Sequence, residues 1–505
     1  MWQRYSINDF RTITHYLGAI VSLSGLVMLL PVLVGLIFQE WGASARYLLS
    51  AGIAVVVGGA MRLVRISPGR MTRQQALAVT GFSWIVVSFI GAIPLFLSAH
   101  YSVYTDALFD SVSAFTTTNA TMISDLDHIS NADNMLRFVM TYSGGLGLIV
   151  VAVSLGLFDG MAGSSMYSSE GRSDHVLPNI LQTTRFIFKF TLSVTLAAGA
   201  ILGVILIFRG LPTFVSFFHG VWLAGTSLMT AGSSPMSTGI SYYHSIGVEV
   251  VLMVLMIFGS INFALQSEVL AGRSHFFFKN SEIHTGLIWW LIMLAVFIAV
   301  LCGSQLASGL PFLMRSGLFS FVSAATTSGF TSMTSSQVNA IFPSGAILLL
   351  TLVMAVGGST GSTAGGIKLQ RITIIVKAAI ETVKYTASAD SVKLSTEYNH
   401  IGRHRLEVGE IRDAMTVTII FIVMIIIGAM AGIAFGFDAM TALTESVAMA
   451  STSGISAGIT QAGMPMFLKM VYITEMWMGR LESVTLIALA AKIIFSIRLP
   501  RRKRG

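Results

Sequence analysis

A short phrase occurs four times along this chain, each time where an apolar stretch gives way to hydroxyl residues and glycine. The copies are Thr117-Thr118-Asn119-Ala120-Thr121, Thr230-Ala231-Gly232-Ser233-Ser234, Thr327-Ser328-Gly329-Phe330-Thr331 and Thr452-Ser453-Gly454-Ile455-Ser456. Each reads Thr, a small residue, Gly or Asn, any residue, then Thr or Ser. Gly or Asn at the centre is what a backbone needs when it must take positive φ. Four such turns point to a four-part ring whose carbonyls face one axis, and rings of that kind replace the water shell of a monovalent cation.

The stretches around the phrases fix the solvent. Of the 505 residues, 54% are hydrophobic and 11% charged, with a mean hydropathy of +0.77; a soluble globule carries about 25% charged residues. The chain is therefore polytopic in a membrane. Apolar runs long enough to cross a hydrocarbon core fall at about 15–38, 47–64, 77–98, 135–158, 186–208, 245–270, 286–303, 344–380 with an interruption, 412–435 and 468–497. The first is longer than the apolar region of a cleaved signal and reads as a retained span. Cys302 is the only cysteine, which leaves no intramolecular disulfide or thiolate cluster.

Between the third and fourth, fifth and sixth, seventh and eighth, and ninth and tenth runs lies a shorter semi-polar segment that ends in one of the four phrases. Such segments are too short to span and read as re-entrant pore helices, tolerated at membrane depth only inside protein or beside water. The unit is span, pore helix, filter phrase, span. Counted from 119 to 232 to 329 to 454, the centres lie 113, 97 and 125 residues apart, a loose repeat by divergent duplication. The expected division is two leading helices in 1–76, then repeats in 77–175, 176–284, 285–400 with a broken second span, and 401–505 with a basic tail. The expected fold class is an all-α polytopic membrane protein with four pseudo-repeats around a central pore.

The net charge of +8 reflects orientation rather than nucleic-acid binding, because Lys and Arg accumulate on the cytoplasmic side. With the N-terminus inside, 25 of the 31 lie on inner ends and loops, including Arg62, Arg65, Arg70, Arg73, Arg172, Lys377, Lys384, Arg403, Arg405 and Arg501 to Arg504. Arg46, Arg137, Arg209, Arg315 and Lys469 fall outside and Arg480 lies within a span, which accounts for the other six. All four phrases then approach from the outer face. Each pore helix aims its carbonyl end, the negative end of its dipole, at the axis.

One copy of the phrase would carry nothing, since Thr, Ser and Gly also serve helix packing in membranes; four copies in one context do. A second stretch is more specific: Gly357-Gly358-Ser359-Thr360-Gly361-Ser362-Thr363-Ala364-Gly365-Gly366-Ile367-Lys368. Five glycines in the ten residues from 357 to 366, at about 1 kcal/mol each against alanine, break the span. Broken backbone at that depth must line a cavity, so this reads as a loop in the pore beneath the phrases. The alternatives are a packing face, which would space its glycines about four apart, and a phosphate loop, which would follow a strand. Arg480 either faces the pore or pairs with Glu475 or Glu482 to hold helices together. Asp110 and Glu445, in the first and fourth pore helices, read as structural anchors. The inner segment 381–410 is a solvated loop or a docking surface.

The fourfold repeat, the threonine-rich filters and the glycine-rich stretch resemble the Trk/Ktr/HKT superfamily of cation transporters, and the two leading spans are most similar to its bacterial TrkH branch. The resemblance covers nearly the whole chain. It implies transport of potassium as substrate, with no cofactor bound by this chain. Thr117, Thr118, Asn119, Thr230, Ala231, Gly232, Thr327, Ser328, Gly329, Thr452, Ser453 and Gly454 would form the selectivity filter. Gly357 to Gly366, Lys368 and Arg480 would form the gate. It also implies a homodimer bound to soluble nucleotide-binding regulatory subunits of the TrkA type, in the bacterial inner membrane with both termini cytoplasmic. Bacterial potassium members are expected to carry glycine where Asn119 stands, and serine there goes with sodium transport in the plant branch, so a sodium-permeable or sodium-coupled member is the alternative.

An intramembrane enzyme would need an HExxH motif, a Ser-His dyad or facing aspartates; none occurs, and the ten histidines are expected at loops and span ends. A proton-coupled carrier would need carboxylates within the spans, where Glu268 is a weak candidate.

Overall fold

The structure is a computed structural model that describes residues 5–66, 71–147, 150, 152–153, 180–303, 310–388, 396–481 and 483–497. Three helices lead: α1 (Ile7–Val27), α2 (Leu29–Ile37) and α3 (Trp41–Arg62). Ser6 and Asp9 close a capping box on α1. Helices α1 and α3 meet through small residues, for a β-carbon on Gly18 would lie 2.6 Å from the Gly58 carbonyl oxygen.

Four similar units follow. The first is α4 (Arg73–Phe96), α5 (Tyr104–Phe115) and α6 (Asn131–Leu146); the second is α7 (Ile180–Phe208), α8 (Thr213–Leu228), α9 (Ile246–Gly259) and α10 (Phe263–Leu270). After α11 (His275–Lys279), the third is α12 (Ser281–Gly303), α13 (Leu310–Ala325), α14 (Ser335–Ile341), α15 (Ser344–Val356) and α16 (Leu369–Ala387). A hairpin of β1 (Glu397–Asn399) and β2 (Arg403–Arg405) leads to the fourth: α17 (Val408–Ala434), α18 (Ala439–Ala450), α19 (Met466–Arg480) and α20 (Ser483–Ile497). In each unit the short helix α5, α8, α13 or α18 ends at one of the four phrases.

Six helical stretches among the described residues are long and apolar enough to cross a bilayer, or seven with α9 and α10 taken as one. That is fewer than the ten runs read from hydropathy, because the second helix of a unit is broken more often than its composition shows. The apolar run 245–270 bends by 101° between α9 and α10. There Asn262 turns its side-chain oxygen to the N–H of Ala264, 2.7 Å away, and starts a new helix. Helix α6 stops at Leu146, where Gly147 takes φ +91°, and the expected run continues to 158 partly outside the described residues. In the fourth unit α19 ends at Arg480 and α20 restarts at Ser483.

The expected inner loop 381–410 holds order that its sequence did not announce. Helix α16 runs on to Ala387, and β1 pairs antiparallel with β2, Tyr398 opposite His404; residues 389–395 and the basic tail 501–504 lie outside the described residues. The buried core continues from the first unit into the fourth: Phe109, Val112, Tyr472, Ile473 and Met476 belong to one cluster. First and last repeats are thus neighbours.

Candidate cation pathway

The four pore helices end alike. The N–H of the first threonine of each phrase reaches a carbonyl of the last helical turn, Thr117 to Ala114 and Thr452 to Met449 at 3.1 Å, Thr230 to Ser227 and Thr327 to Ala324 at 3.0 Å. The central residues take positive φ, at 54° for Asn119, 61° for Gly232, 85° for Gly329 and 68° for Gly454. So do the first threonines, at 65°, 47°, 52° and 53° for Thr117, Thr230, Thr327 and Thr452. A β-branched residue there is an outlier that costs roughly 1–3 kcal/mol. Recurring in all four repeats, the strain marks a shape that the surrounding structure enforces. Sequence reasoning missed it, since threonine is the last residue that propensity would place in that region.

The phrases touch in cyclic order. A β-carbon on Gly232 would lie 2.2 Å from the Ser328 carbonyl oxygen, one on Gly329 1.8 Å from that of Ser453, and one on Gly454 1.7 Å from that of Thr118. No side chain fits at these contacts. The remaining contact is made by Asn119, whose Nδ2 donates to the Ala231 carbonyl oxygen at 2.8 Å while its Oδ1 accepts from the Thr141 hydroxyl at 3.0 Å. Asparagine thus has both ends of its amide engaged and bridges two of the phrases.

Beneath this ring lies the glycine-rich stretch. Helix α15 ends at Gly357 with φ +73°, and Gly361, Gly366 and Lys368 also take positive φ. The loop reaches the first threonines of three phrases: Thr363 accepts from the Thr230 hydroxyl at 3.1 Å, the Gly365 N–H donates to Thr327 Oγ1 at 2.7 Å, and the Gly365 α-carbon lies against Thr452. A β-carbon on Gly365 would be 1.9 Å from the Ser451 carbonyl oxygen. Thr363 Oγ1 also donates toward the carbonyls of Gly259 and Leu228, at 2.9 and 3.1 Å. Ser359 and Thr363 donate their N–H groups to Ser260 and Gly259, the Ser362 hydroxyl bonds to the Ser359 carbonyl, and Lys368 Nζ turns back to the Ala364 carbonyl. The Thr452 hydroxyl is buried and has no hydrogen-bond partner among the described residues.

Arg480 ends α19 and gathers three units. Its Nη1 donates to the Thr363 carbonyl at 2.8 Å and to Thr117 Oγ1 at 3.4 Å, and its Nη2 to the carbonyls of Gly144 and Gly145 at 2.6 and 2.8 Å. The guanidinium also stands 5.9 Å from the Trp84 ring centroid. Glu475 instead accepts from the Ser446 hydroxyl at 2.7 Å, and Glu482 lies outside the described residues. Arg480, Lys368, Thr360 and Gly365 border a cavity of about 60 Å³, roomy and polar enough for water.

The far side of the ring from the loop is braced by carboxylates. Asp110 accepts from the Thr121 and Tyr101 hydroxyls and the Met122 N–H at 2.6, 2.9 and 2.7 Å. Glu445, at the same place in the fourth pore helix, accepts from Ser456, Ala457 and Thr460. Both pin the last residue of a phrase and the segment after it, as anchors would. Of the five basic residues expected on the outer side, three are paired: Arg46 with Asp133 at 2.5 Å, Arg315 with Glu249 at 2.5 Å, and Lys469 with Asp106, both buried. On the exposed loop beyond, the hydrogen bond from His128 holds the Asp125 carboxyl below its ordinary range. One expectation fails: His219 sits within pore helix α8 rather than at an end, buried beside the Tyr243 hydroxyl at 3.1 Å. Glu268, in α10, pairs with Arg273 at 2.5 Å.

The profile of a family described as TrkH, cation transport protein, matches residues 53–499. An uncharacterized cation transporter of Methanocaldococcus jannaschii is 27% identical over 492 residues, covering 97% of this chain and 98% of the relative. The Trk system potassium uptake protein TrkH of Salmonella typhimurium is 26% identical over 491 residues, covering 95% of this chain and 98% of the relative. The crystal structure of the potassium transporter TrkH from Vibrio parahaemolyticus aligns with a TM-score of 0.80 at 24% identity, over 95% of this chain and 98% of that one.

Proposed function

The chain belongs to the TrkH family of cation transport proteins, and on that premise we propose that it is the membrane subunit of a Trk-type potassium uptake system. The observation that carries this reading is the cyclic contact of the four phrases, in which Gly232, Gly329 and Gly454 each abut a carbonyl of the next repeat. Twelve residues form the filter in this proposal: Thr117, Thr118, Asn119, Thr230, Ala231, Gly232, Thr327, Ser328, Gly329, Thr452, Ser453 and Gly454. Their carbonyls and hydroxyls take the place of water around a potassium ion. The unpartnered Thr452 hydroxyl below supports a wet site there. The loop from Gly357 to Gly366 with Lys368 is the gate, held by Arg480, whose charge opposes cations beneath the filter.

We read the domains as two leading spans in 1–76 and four repeats in 77–175, 176–284, 285–400 and 401–505, in a bacterial inner membrane with both termini cytoplasmic. A homodimer with a nucleotide-binding subunit of the TrkA type on the cytoplasmic face completes the proposal. Asn119 favours a second reading, a member that also passes sodium, because its amide occupies the Ala231 carbonyl. The test is radioactive rubidium uptake into liposomes holding the purified protein, with and without proton and sodium gradients. Uptake down rubidium's own gradient, indifferent to both, is expected; uptake that requires either gradient refutes channel-like permeation.

A further inference from the structure

Glu282 stands in the first turn of α12 and is 2% exposed. A carboxylate so deeply buried needs partners, and these come from two directions. Its Oε1 accepts the N–H of Thr360, inside the glycine-rich loop, at 2.7 Å, and that of Gln370, in the first turn of α16, at 3.1 Å. Its Oε2 faces Nδ1 of His400 at 3.9 Å. The helix N-terminus adds its own positive end, and Asn280 caps the Glu282 N–H at 2.8 Å.

His400 belongs to the turn of the β1–β2 hairpin and is 7% exposed, whereas Arg403, His404 and Arg405 on β2 are exposed. The hairpin is seated on α12 and its neighbours: the Asn399 N–H donates to Ser281 Oγ at 3.0 Å, Lys377 Nζ to the Glu397 carbonyl at 2.8 Å, and the Tyr398 hydroxyl to Glu410 at 3.1 Å. One buried carboxylate thus holds the glycine-rich loop by a hydrogen bond on one side and faces the hairpin's His400 across 3.9 Å on the other.

We propose that Glu282 is a positioning residue for transport: through His400 and Thr360 it couples the hairpin to the loop beneath the filter, so that displacing the hairpin releases the loop. The proposal rests on the reading of that loop as the gate. Loss of Glu282 strips Thr360 and Gln370 of their common acceptor and leaves the loop free to leave the ring.

The test uses the full-length protein in liposomes and radioactive rubidium flux. Glu282→Ala, Glu282→Gln, His400→Ala and the double variant Glu282→Ala with His400→Ala are each made in the parent and in a chain lacking residues 359–364. Glu282→Ala is expected to raise basal flux about tenfold, the scale of lost hydrogen bonds to a charged group. Glu282→Gln, which keeps one acceptor oxygen, raises it less, and the double variant conducts like Glu282→Ala alone. None of them changes flux once the loop is deleted. A purely structural brace predicts instead that the two substitutions act independently, and that result overturns the coupling. If loop deletion raises flux while Glu282→Ala leaves it unchanged, the coupling fails and the gate stands; if loop deletion itself is silent, the gate reading fails. Should Glu282→Ala elute as aggregate, Glu282→Gln and His400→Ala decide, and unchanged flux in both refutes the proposal.

Discussion

Asn119 is where the fourfold pattern of the ring breaks, and its amide makes the break measurable. Its donor sits on the Ala231 carbonyl, so in the proposed filter that oxygen would be shared between an ion and a hydrogen bond. Asn119→Gly removes the donor and keeps a residue at ease with φ near 54°. The expected outcome is a higher ratio of potassium to sodium permeability, read from competitive flux; an unchanged ratio would mean that the amide is electrically silent. Asn119→Ala must hold the left-handed backbone at about 1–2 kcal/mol, so it should melt below the glycine variant. Arg480 offers a second measurement. Its fork spans carbonyls of α6 and of the loop, a geometry that lysine's single ammonium cannot copy. Arg480→Gln and Arg480→Lys should therefore both raise flux, and parental conduction in both would return Arg480 to a helix-anchoring role. Both residues were legible as exceptions, an amide among glycines and a charge in an apolar run. The positive φ of Thr117, Thr230, Thr327 and Thr452 was not, because a local preference says nothing of strain that neighbours impose.

At the scale of the element, the loop from Gly357 to Gly366 is the proposed gate beneath the ring. Deleting residues 359–364 should raise cation flux while leaving selectivity in place, since the contacts from phrase to phrase are made without the loop. Gly365→Ala is the finer probe. Its β-carbon would fall 1.9 Å from the Ser451 carbonyl oxygen, a contact that only movement of the loop relieves, so flux should rise as in the deletion. Equal flux in deletion and parent would remove the gate. The loop was legible because five glycines in ten residues cannot be a helix. The break between α9 and α10 was not: Ser260, Ile261 and Asn262 interrupt an apolar run without a run of glycines, and the turn depends on Asn262 capping α10 and on Gly259 pressing against the Leu228 carbonyl. The β1–β2 hairpin escaped for a similar reason, since three-residue strands leave too little period to read.

Over the whole molecule, the repeat and a four-part ring were plain in the sequence but the residues that seal the ring were not, because spacing gives order along the chain and not which side chains meet. Closure rests on the Gly454–Thr118 contact and on the buried pair of Lys469 with Asp106. Lys469→Met should destabilise the solubilised protein by about 3–5 kcal/mol by stranding a buried carboxylate, and adding Asp106→Leu should recover most of the loss. Thermal melts of the single and double variants check this; a double variant no more stable than the single would show that the pair does not act as a unit. The proposed homodimer is checked by native mass spectrometry in detergent, where monomer alone would exclude it. The closing pair also sets a timetable for making the protein. Asp106 and Lys469 are separated by 363 positions, so at the usual pace of translation the first waits about 20–70 s for the second. Through that interval the opening repeats sit in the bilayer as an unfinished horseshoe with an acid at its open edge, and a nascent chain halted before residue 469 leaves that acid without its partner.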